Sequence, residues 1–365
     1  MIKQITILFI IILLAEVSMG QKATTENVVL ITLDGFRWQE VFRGADTALM
    51  KQQPFLKDGK LREKYWRADA GERRKVLFPF LWSTIVSQGQ LIGNRDKNSR
   101  MNVTNRMWFS YPGYNELLTG KADDERITSN DKKYNPNVTV LEFLNSQPAL
   151  KGKVTAYTSW DCFPYIINDK RSGIPVNAAL AGAKGNALTE REKALNDLLF
   201  STPNPLEGVR LDAFTFYYGL EYMKKHKPRV MYFSFDETDD FAHGGEYAAY
   251  LNAAHYTDGF IKELWDYLQT DPTYKNKTTL LITVDHGRGV NAEDWKDHGI
   301  KVNQANQIWM AASGSGVLPL GEEVKEGQLY QNQIAKTIAQ LLGYAYNLEG
   351  IGAALQLNKP PNGDK

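Results

Sequence analysis

The sequence predicts an α/β fold in which a largely parallel central sheet is flanked by helices on both faces. Three continuous apolar runs end in acidic residues: NVVLITLDG (27–35), RVMYFSFDE (229–237) and TTLLITVDHG (278–287). Such unbroken runs are typical of strands that are covered on both faces. Segments with helical spacing of apolar residues lie between them, and this alternation of strand and helix indicates a parallel sheet.

The remaining elements follow the same alternation. KVTAYTSWD (153–161) and NQIWMAASGSG (306–316) predict two further strands, the second of which enters a glycine-rich turn. Four segments predict helices: 139–147, 211–227, 245–269 and 330–344. Residues 43–107 and 161–210 are rich in charged residues, Gly, Pro and Asn, and we interpret them as insertions beside the sheet that form a cap or cleft wall.

The first 20 residues have the pattern of a secretory signal peptide. Lys3 precedes an apolar run from Ile5 to Ala15, and the small residues Ser18 and Gly20 suit a cleavage site after Gly20. The run is shorter than the roughly 20 apolar residues that span a bilayer, although a retained membrane anchor is the alternative. We expect a secreted or periplasmic protein without a stable membrane span, a single catalytic domain over 21–355, and a disordered tail over 356–365.

Composition narrows the classes of partner. Lys and Arg number 43 against 42 Asp and Glu, so the sequence offers no broad basic surface and duplex nucleic acid is not an expected partner. Cys162 is the only cysteine, which excludes an internal disulfide. We interpret it as a small buried residue; a catalytic thiol would need a histidine beside it in space.

Acidic residues and histidines at the ends of predicted strands suggest a metal site. Ligands of open parallel sheets bind beyond the carboxyl ends of the strands, where these side chains can converge. Each short motif alone is more commonly a solvated pair or a turn than a metal site. Together, three carboxylates and three imidazoles in a chain with five histidines suit two zinc-like divalent ions rather than calcium: Asp34, Asp239, Asp285, His243, His286 and His298. His226 and His255 are interpreted as a surface residue and a helix residue.

The segment MWFSYPGYNELLTG (107–120) supplies a candidate nucleophile. Ser110 stands where a helix is expected to begin, and a helix N-terminus suits a phosphate group. A neighbouring cation would favour the alkoxide of Ser110, so that no separate base is required. A simple helix cap is the alternative for Ser110. Asn115 either donates its amide to a substrate oxygen or faces solvent.

The order of these motifs resembles the alkaline phosphatase superfamily and, within it, the nucleotide pyrophosphatase/phosphodiesterase branch. The matching segments are Asp34-Gly35, 110–120, 237–243, 285–287 and His298. The resemblance implies two zinc ions, of which one is held by Asp239, His243 and His298. It implies that the other is held by Asp34, Asp285 and His286, with Ser110 also in contact. It further implies that Ser110 attacks phosphorus and that water hydrolyses the resulting phospho-enzyme.

Several positions depart from that branch and leave the substrate class open. Ser110 replaces the usual Thr, and Gly113-Tyr114 replaces Asn-His. Arg288 follows Asp-His-Gly in place of Met; it either binds a second phosphate charge, is a surface residue, or pairs with Asp294. The expected activity is hydrolysis of phosphodiester or pyrophosphate bonds in a small-molecule substrate. The alternatives are a phosphomonoesterase, a phosphoglycerate mutase-like enzyme and an inactive binding protein. Sulfatase activity is disfavoured, because the Cys/Ser-x-Pro-x-Arg segment is missing.

Overall fold

A mixed eight-stranded sheet lies at the centre of the protein. The structure is a computed structural model, and it describes residues 25–52, 60–324 and 326–358. The strands are β1 Asn27–Leu33, β2 Gly89–Ile92, β3 Ser99–Asn102, β4 Val154–Thr158, β5 Val176–Ala178, β6 Val230–Phe235, β7 Thr278–Thr283, β8 Gln307–Ile308, β9 Met310–Gly314, β10 Gly321–Glu322 and β11 Gly327–Tyr330. The central sheet has the strand order β10-β2-β9-β7-β1-β6-β4-β5, and a smaller sheet has the order β11-β3-β8.

The middle of the central sheet is parallel, as the sequence predicts. β1 pairs in parallel with both β6 and β7, and β6 pairs in parallel with β4. Every residue of β1, β6 and β7 is buried, so both faces of these strands are covered. The predicted strand over 306–316 is divided into β8 and β9, and β9 runs antiparallel to β7 and β2.

Helices pack around the sheet, and the four predicted ones are confirmed as α6 (Val140–Ser146), α10 (Asp212–His226), α12 (Tyr247–Thr270) and α13 (Ile334–Leu341). α6 begins after Thr139, whose hydroxyl accepts a hydrogen bond from the amide of Glu142 at 3.1 Å. The helices are α1 Trp38–Arg43, α2 Thr47–Gln52, α3 Lys60–Tyr65, α4 Ala70–Leu77, α5 Ser110–Thr119, α6 Val140–Ser146, α7 Phe163–Ile166, α8 Asp169–Ser172, α9 Glu190–Ser201, α10 Asp212–His226, α11 Glu237–His243, α12 Tyr247–Thr270 and α13 Ile334–Leu341.

Each predicted insertion contributes one strand to the central sheet and so does not lie wholly beside it. β2, from the segment 43–107, pairs with β9, and β5, from the segment 161–210, pairs with β4. These strands have only four and three residues, which is too short for a periodic pattern to be visible in the sequence. A cap or cleft wall formed by the rest of both segments stays a prediction.

The two ends of the chain lie largely outside the described residues. The predicted signal peptide (1–20) falls there entirely, as does 359–365 of the predicted tail. Residues 356–358 are ordered, contrary to the prediction: the carbonyl of Leu357 accepts hydrogen bonds from Leu318 N at 2.9 Å and Gln90 Nε2 at 2.8 Å. Among the described helices, none combines the length and the apolar character needed to cross a bilayer.

Candidate metal centre and nucleophile

The carboxyl ends of three adjacent parallel strands bring the predicted ligands together. Asp34 directly follows β1, and Asp285 follows β7 by two residues. Asp239 and His243 lie on α11, which begins two residues after β6. Because β6, β1 and β7 are neighbours in the sheet, side chains that are far apart in the sequence meet at one edge.

The first ligand group consists of Asp34, Asp285 and His286, all of which are buried. His286 Nε2 lies 3.3 Å from Asp34 Oδ1 and 3.4 Å from Asp285 Oδ2. The other oxygen of each carboxylate accepts a hydrogen bond, from Tyr114 Oη at 2.8 Å and from Gly35 N at 3.0 Å respectively. Asp34 Oδ1 and Asp285 Oδ2 have no hydrogen-bond partner in the described chain.

Two buried carboxylate oxygens without a hydrogen-bond partner are costly unless a positive charge meets them. Both oxygens lie beside the same imidazole nitrogen, His286 Nε2. A set of two carboxylates and one imidazole suits a zinc-like divalent ion. The residues of the first group therefore fit a bound divalent cation.

The second group, Asp239, His243 and His298, also comes together. His243 Nε2 lies 3.2 Å from Asp239 Oδ2 and 2.9 Å from His298 Nε2, and His298 Nε2 lies 3.7 Å from Asp239 Oδ1. Asp239 Oδ1 is also 3.9 Å from Nε2 of His286, so the two groups adjoin one another. The side chain of His243 is 44% exposed, so the site is open to solvent on this side.

Backbone carbonyls fix the orientation of two of the histidines. His286 Nδ1 donates to the carbonyl oxygen of Gly287 at 2.9 Å, and His298 Nδ1 donates to that of Trp108 at 3.2 Å. Because a carbonyl only accepts, Nδ1 carries a proton in each ring, and Nε2 is the nitrogen that faces the ligand group. This arrangement is typical of histidines that bind metal ions.

Burial and neighbouring charges strongly shift the pKa values of the carboxyl and imidazole groups in the site. Burial, followed by the carboxylate of Asp34, raises the pKa of Asp285 to about 8. Burial alone would lower the pKa of His286, but Asp285 and Asp34 outweigh it and raise this pKa to about 9. Burial, then the charges of His286 and Arg288, lower the pKa of His298 well below its ordinary value. Such displaced pKa values are typical of functional sites.

Ser110 is the first residue of α5 and lies beside the first group. Its Oγ is 3.4 Å from His286 Nε2, and the residue is buried with 5% of its surface exposed. α5 packs directly against the strand end that carries Asp285: a Cβ on Gly113 would lie 2.5 Å from the carbonyl oxygen of Asp285. The glycine therefore allows the helix to bring Ser110 to the metal ligands.

Tyr114 contacts the candidate metal centre, and the sequence analysis did not identify it as a site residue. Its hydroxyl donates to Asp34 Oδ2 at 2.8 Å and accepts from Ser234 Oγ at 3.2 Å. Its position four residues after Ser110 places both side chains on one helix face, which is the signal that could have found it. Tyr114 thereby helps to orient a candidate ligand.

Arg288 is buried and braces the site through backbone carbonyls. Its guanidinium donates to the carbonyls of Gly35 at 3.1 Å, Lys296 at 2.6 Å and Asp239 at 3.2 Å, and it contacts the Asp239 carboxylate. The alternatives of a surface residue and of a pair with Asp294 are wrong: Arg288 is 1% exposed, and Asp294 accepts from Asn291. Substrate binding by Arg288 stays a prediction.

Asn115 is buried, so the alternative in which it faces solvent is wrong. Its Nδ2 donates to the carbonyl of Lys121 at 3.2 Å. Its Oδ1 accepts from Asn135 at 3.2 Å and from Asn137 at 3.1 Å. Substrate binding by Asn115 stays a prediction, and it would require one of these hydrogen bonds to be exchanged.

The other residues singled out from the sequence lie apart from these contacts. Burial, followed by Asp161, raises the pKa of Cys162 to about 12, which disfavours a catalytic thiolate. His226 ends α10 and stacks on Tyr222 at a centroid distance of 4.3 Å. His255 lies in α12, with Nδ1 2.9 Å from the carbonyl oxygen of Leu77.

Comparisons with known proteins agree with this architecture. The family model for Sulfatase matches residues 108–344, which is more than half of the chain. No sequence among the curated proteins is significantly similar to this one.

Three solved structures illustrate the similarity of fold. The alkaline phosphatase PafA has a TM-score of 0.59 at 10% identity, over 92% of this chain and 99% of that chain. The phosphonate monoester hydrolase SpPMH from Silicibacter pomeroyi has a TM-score of 0.58 at 13% identity, over 93% of this chain and 78% of that chain. The 2-O GAG sulfatase BT1596 has a TM-score of 0.55 at 12% identity, over 92% of this chain and 74% of that chain. The chain belongs to the sulfatase family and is a hydrolase of the alkaline phosphatase superfamily.

Proposed function

We propose that the protein hydrolyses phosphate esters, with Ser110 as the nucleophile and two divalent metal ions, most favourably zinc, as cofactors. The substrate class is a small molecule with a phosphodiester or pyrophosphate bond. One observation carries the proposal: Ser110 Oγ lies 3.4 Å from His286 Nε2, in the group that contains the unpartnered oxygens of Asp34 and Asp285. A hydroxyl held beside a cation site is the arrangement that phosphoryl transfer to serine requires.

The residues that would hold the cations are the two groups described above. Asp34, Asp285 and His286, with Ser110 in contact, form one set, and Asp239, His243 and His298 form the other. When bound, divalent cations supply Lewis-acid stabilisation of negative charge on phosphoryl oxygens and lower the pKa of a nearby hydroxyl or water. Imidazole and carboxylate donors in both sets favour zinc among the common ions.

The reaction then takes place in two displacements at phosphorus. Ser110 Oγ releases its proton to solvent and forms a bond to phosphorus, while the bond between phosphorus and the leaving oxygen breaks and that oxygen takes up a proton from solvent. A water oxygen next attacks phosphorus and releases a proton to solvent, the bond to Ser110 Oγ breaks, and Ser110 takes up a proton as the phosphate product leaves. The start of α5 keeps the hydroxyl in place, because Gly113 lets the helix lie against Asp285.

Sulfate-ester hydrolysis is the second candidate, because the chain belongs to a family whose structural relatives include a sulfatase. One feature favours phosphate: Ser110-Tyr111-Pro112 is followed by Gly113 and Tyr114, without the arginine of a formylglycine segment. Tyr114 instead holds Asp34. A phosphomonoesterase would use the same residues on a phosphoryl group that carries one ester substituent and more negative charge. A mutase-like enzyme would pass the phosphoryl group to a substrate hydroxyl instead of to water.

Rates of the zinc-loaded protein on an aryl phosphate monoester, an aryl phosphate diester and an aryl sulfate test the proposal. We expect the diester to be turned over fastest and the sulfate slowest. A preference for the monoester would support the phosphomonoesterase alternative. A preference for the sulfate, or no turnover of any phosphate ester, would refute the proposal.

Export to the periplasm or the medium is a separate part of the proposal and rests on the signal-peptide pattern of residues 1–20. Amino-terminal sequencing of the protein recovered from its host tests it. Cleavage after Gly20 is expected, and an intact Met1 on all of the recovered protein would contradict export with cleavage.

A further inference from the structure

A buried carboxylate holds the segment that leads to Ser110. Glu116 lies in α5, six residues after the serine, and none of its surface is exposed. It accepts hydrogen bonds from Thr104 N at 2.8 Å and from Asn105 through both N, at 2.7 Å, and Nδ2, at 2.8 Å. These bonds close the segment 104–116 on itself, with the nucleophile inside it.

Asn105 extends this contact to Trp108. Its Oδ1 accepts from the backbone N–H of Met107 at 3.1 Å and of Trp108 at 2.9 Å. Trp108 has a φ of 55°, in the left-handed region, which is unfavourable for a residue other than glycine. Asn105 therefore stabilises a backbone conformation that Trp108 would not favour alone.

The strained residue contacts the candidate metal centre. The carbonyl oxygen of Trp108 accepts from His298 Nδ1 at 3.2 Å, and His298 Nε2 lies 2.9 Å from His243 Nε2 within the second ligand group. A continuous chain of hydrogen bonds thus runs from Glu116 through Asn105 and Trp108 to an imidazole. The same segment continues through Phe109 into Ser110.

We infer that Glu116 and Asn105 are positioning residues that fix the tautomer and orientation of His298 for metal binding and couple this imidazole to the nucleophile. The inference rests on the proposed function only in taking His298 as a metal ligand. Partners that orient a metal-binding imidazole typically contribute 10–100-fold in metal affinity. Here the partner is a backbone carbonyl, so the side chains that act are those that determine where the carbonyl points.

Glu116→Gln and Asn105→Ala test the inference through zinc affinity and the ¹⁵N chemical shifts of the His298 ring. Glutamine has one acceptor oxygen where Glu116 uses two, and alanine removes the acceptor for Met107 and Trp108. We expect the affinity of one zinc site to fall about 10–100-fold and the His298 signals of the zinc-free protein to report a mixture of tautomers. The other zinc site should keep its affinity.

Asp258→Asn is a matched control. Asp258 is buried and accepts from the backbone N–H of Phe80 at 2.7 Å and of Leu81 at 2.8 Å, and no candidate ligand is among these partners. Asp258→Asn and Glu116→Gln both replace a buried carboxylate that accepts hydrogen bonds from backbone N–H groups of another segment. The control should keep both zinc affinities and the His298 tautomer.

A compensating pair separates positioning from general stability. In Asn105→Asp with Glu116→Gln, the glutamine can donate to the new carboxylate, which still accepts from Met107 and Trp108. This double variant should recover most of the zinc affinity that Glu116→Gln loses. Where Glu116→Gln does not fold, Asn105→Ala gives the same readouts.

Unchanged zinc affinity and an unchanged His298 tautomer in either single variant would overturn the inference. A wild-type protein that binds two zinc ions but hydrolyses no ester would refute the proposed function and leave this inference standing. If the wild-type protein hydrolyses phosphate esters but both single variants keep the wild-type zinc affinity and His298 tautomer, the proposed function stands and this inference is refuted.

Discussion

Arg288 Nε donates a hydrogen bond to the carbonyl oxygen of Gly35 at 3.1 Å and so joins the loop after β7 to the loop after β1. A second hydrogen bond joins the same two loops in the opposite direction: Arg37 Nη1, in the loop after β1, donates to the carbonyl of Gly289, in the loop after β7, at 3.0 Å. Both guanidinium groups are buried, and Arg37 is also paired with Glu40. The loops that carry Asp34 and Asp285 are therefore held together by two crossing side chains rather than by the ligands alone.

Replacement of Arg288 should affect the metal centre as a whole. Arg288→Lys keeps the charge but cannot reach the carbonyls of Gly35, Asp239 and Lys296 together, and each lost bond costs about 1 kcal/mol. We expect a lower free energy of unfolding, a lower zinc content and a reduced kcat on phosphate monoesters and diesters alike. Denaturant unfolding, elemental analysis and steady-state kinetics provide the measurements.

The control for this variant is Arg210→Lys. Arg210 is equally buried and donates to the carbonyls of Thr158, Asn177 and Ala181, which carry no candidate ligand. It should lose stability and retain zinc. A selective rise in KM for the monoester, with zinc and kcat intact in Arg288→Lys, would show instead that Arg288 binds substrate.

Gly35 should tolerate no side chain. Its φ is 55°, and a Cβ there would lie 2.8 Å from Arg288 Nε, 2.9 Å from His286 Cε1 and 3.0 Å from Asp239 Oδ1. Gly35→Ala should lower both the melting temperature and the zinc content. Gly152→Ala isolates the backbone cost of about 1–2 kcal/mol, because Gly152 has a φ of 71° and nothing within 4 Å of the added Cβ. Equal losses of melting temperature in Gly35→Ala and Gly152→Ala would contradict a steric clash of the added Cβ at Gly35.

His298→Ala should lower the zinc content by about one ion per chain, because the second ligand group loses one of its three side chains. Elemental analysis of the dialysed protein measures this directly. His226→Ala is the control, since His226 stacks on Tyr222 at the end of α10. Full zinc retention in His298→Ala would remove this residue from the ligand set.

A buried carboxyl away from the metal centre should make stability depend on pH. Burial raises the pKa of Asp258 from 3.8 to about 7. The folded protein then holds a proton that the unfolded chain has released, so this group's stabilisation is complete below about pH 4 and is lost as the pH rises through about 7. Urea unfolding at a series of pH values should show a steeper fall in the wild type than in Asp258→Asn. Parallel curves for the two proteins would contradict the raised pKa.

The sequence was most informative where a strand is long and buried. β1, β6 and β7 are continuous apolar runs of six or seven residues, and an acidic residue follows each of them at the point where parallel strands converge. Because the parallel topology brings the strand ends together, Asp34, Asp239 and Asp285 could be identified as candidate metal ligands without any measured distance between them. The three histidines beside them followed from the small number of histidines in the chain.

Residues that act through backbone atoms could not be recognised in the same way. The partners of Arg288 are carbonyls from three separate segments, and no residue type marks them. Glu116 is similar, because its acceptor role depends on the backbone N–H groups of Thr104 and Asn105. The short strands β2 and β5 were missed because four and three residues carry no periodic pattern.

Covalent phosphorylation of Ser110 tests the central claim most directly. The zinc-loaded protein is mixed with an aryl phosphate ester, quenched in acid within the first turnovers and digested for mass spectrometry. We expect a phosphoryl group on the peptide that contains Ser110, none in Ser110→Ala, and a turnover in that variant that is lower by several orders of magnitude with zinc retained. Ser313→Ala, which removes a buried serine hydroxyl in β9, should behave as the wild type. Undiminished turnover by Ser110→Ala, with no phosphoryl group on Ser110 in the wild type, would contradict the account.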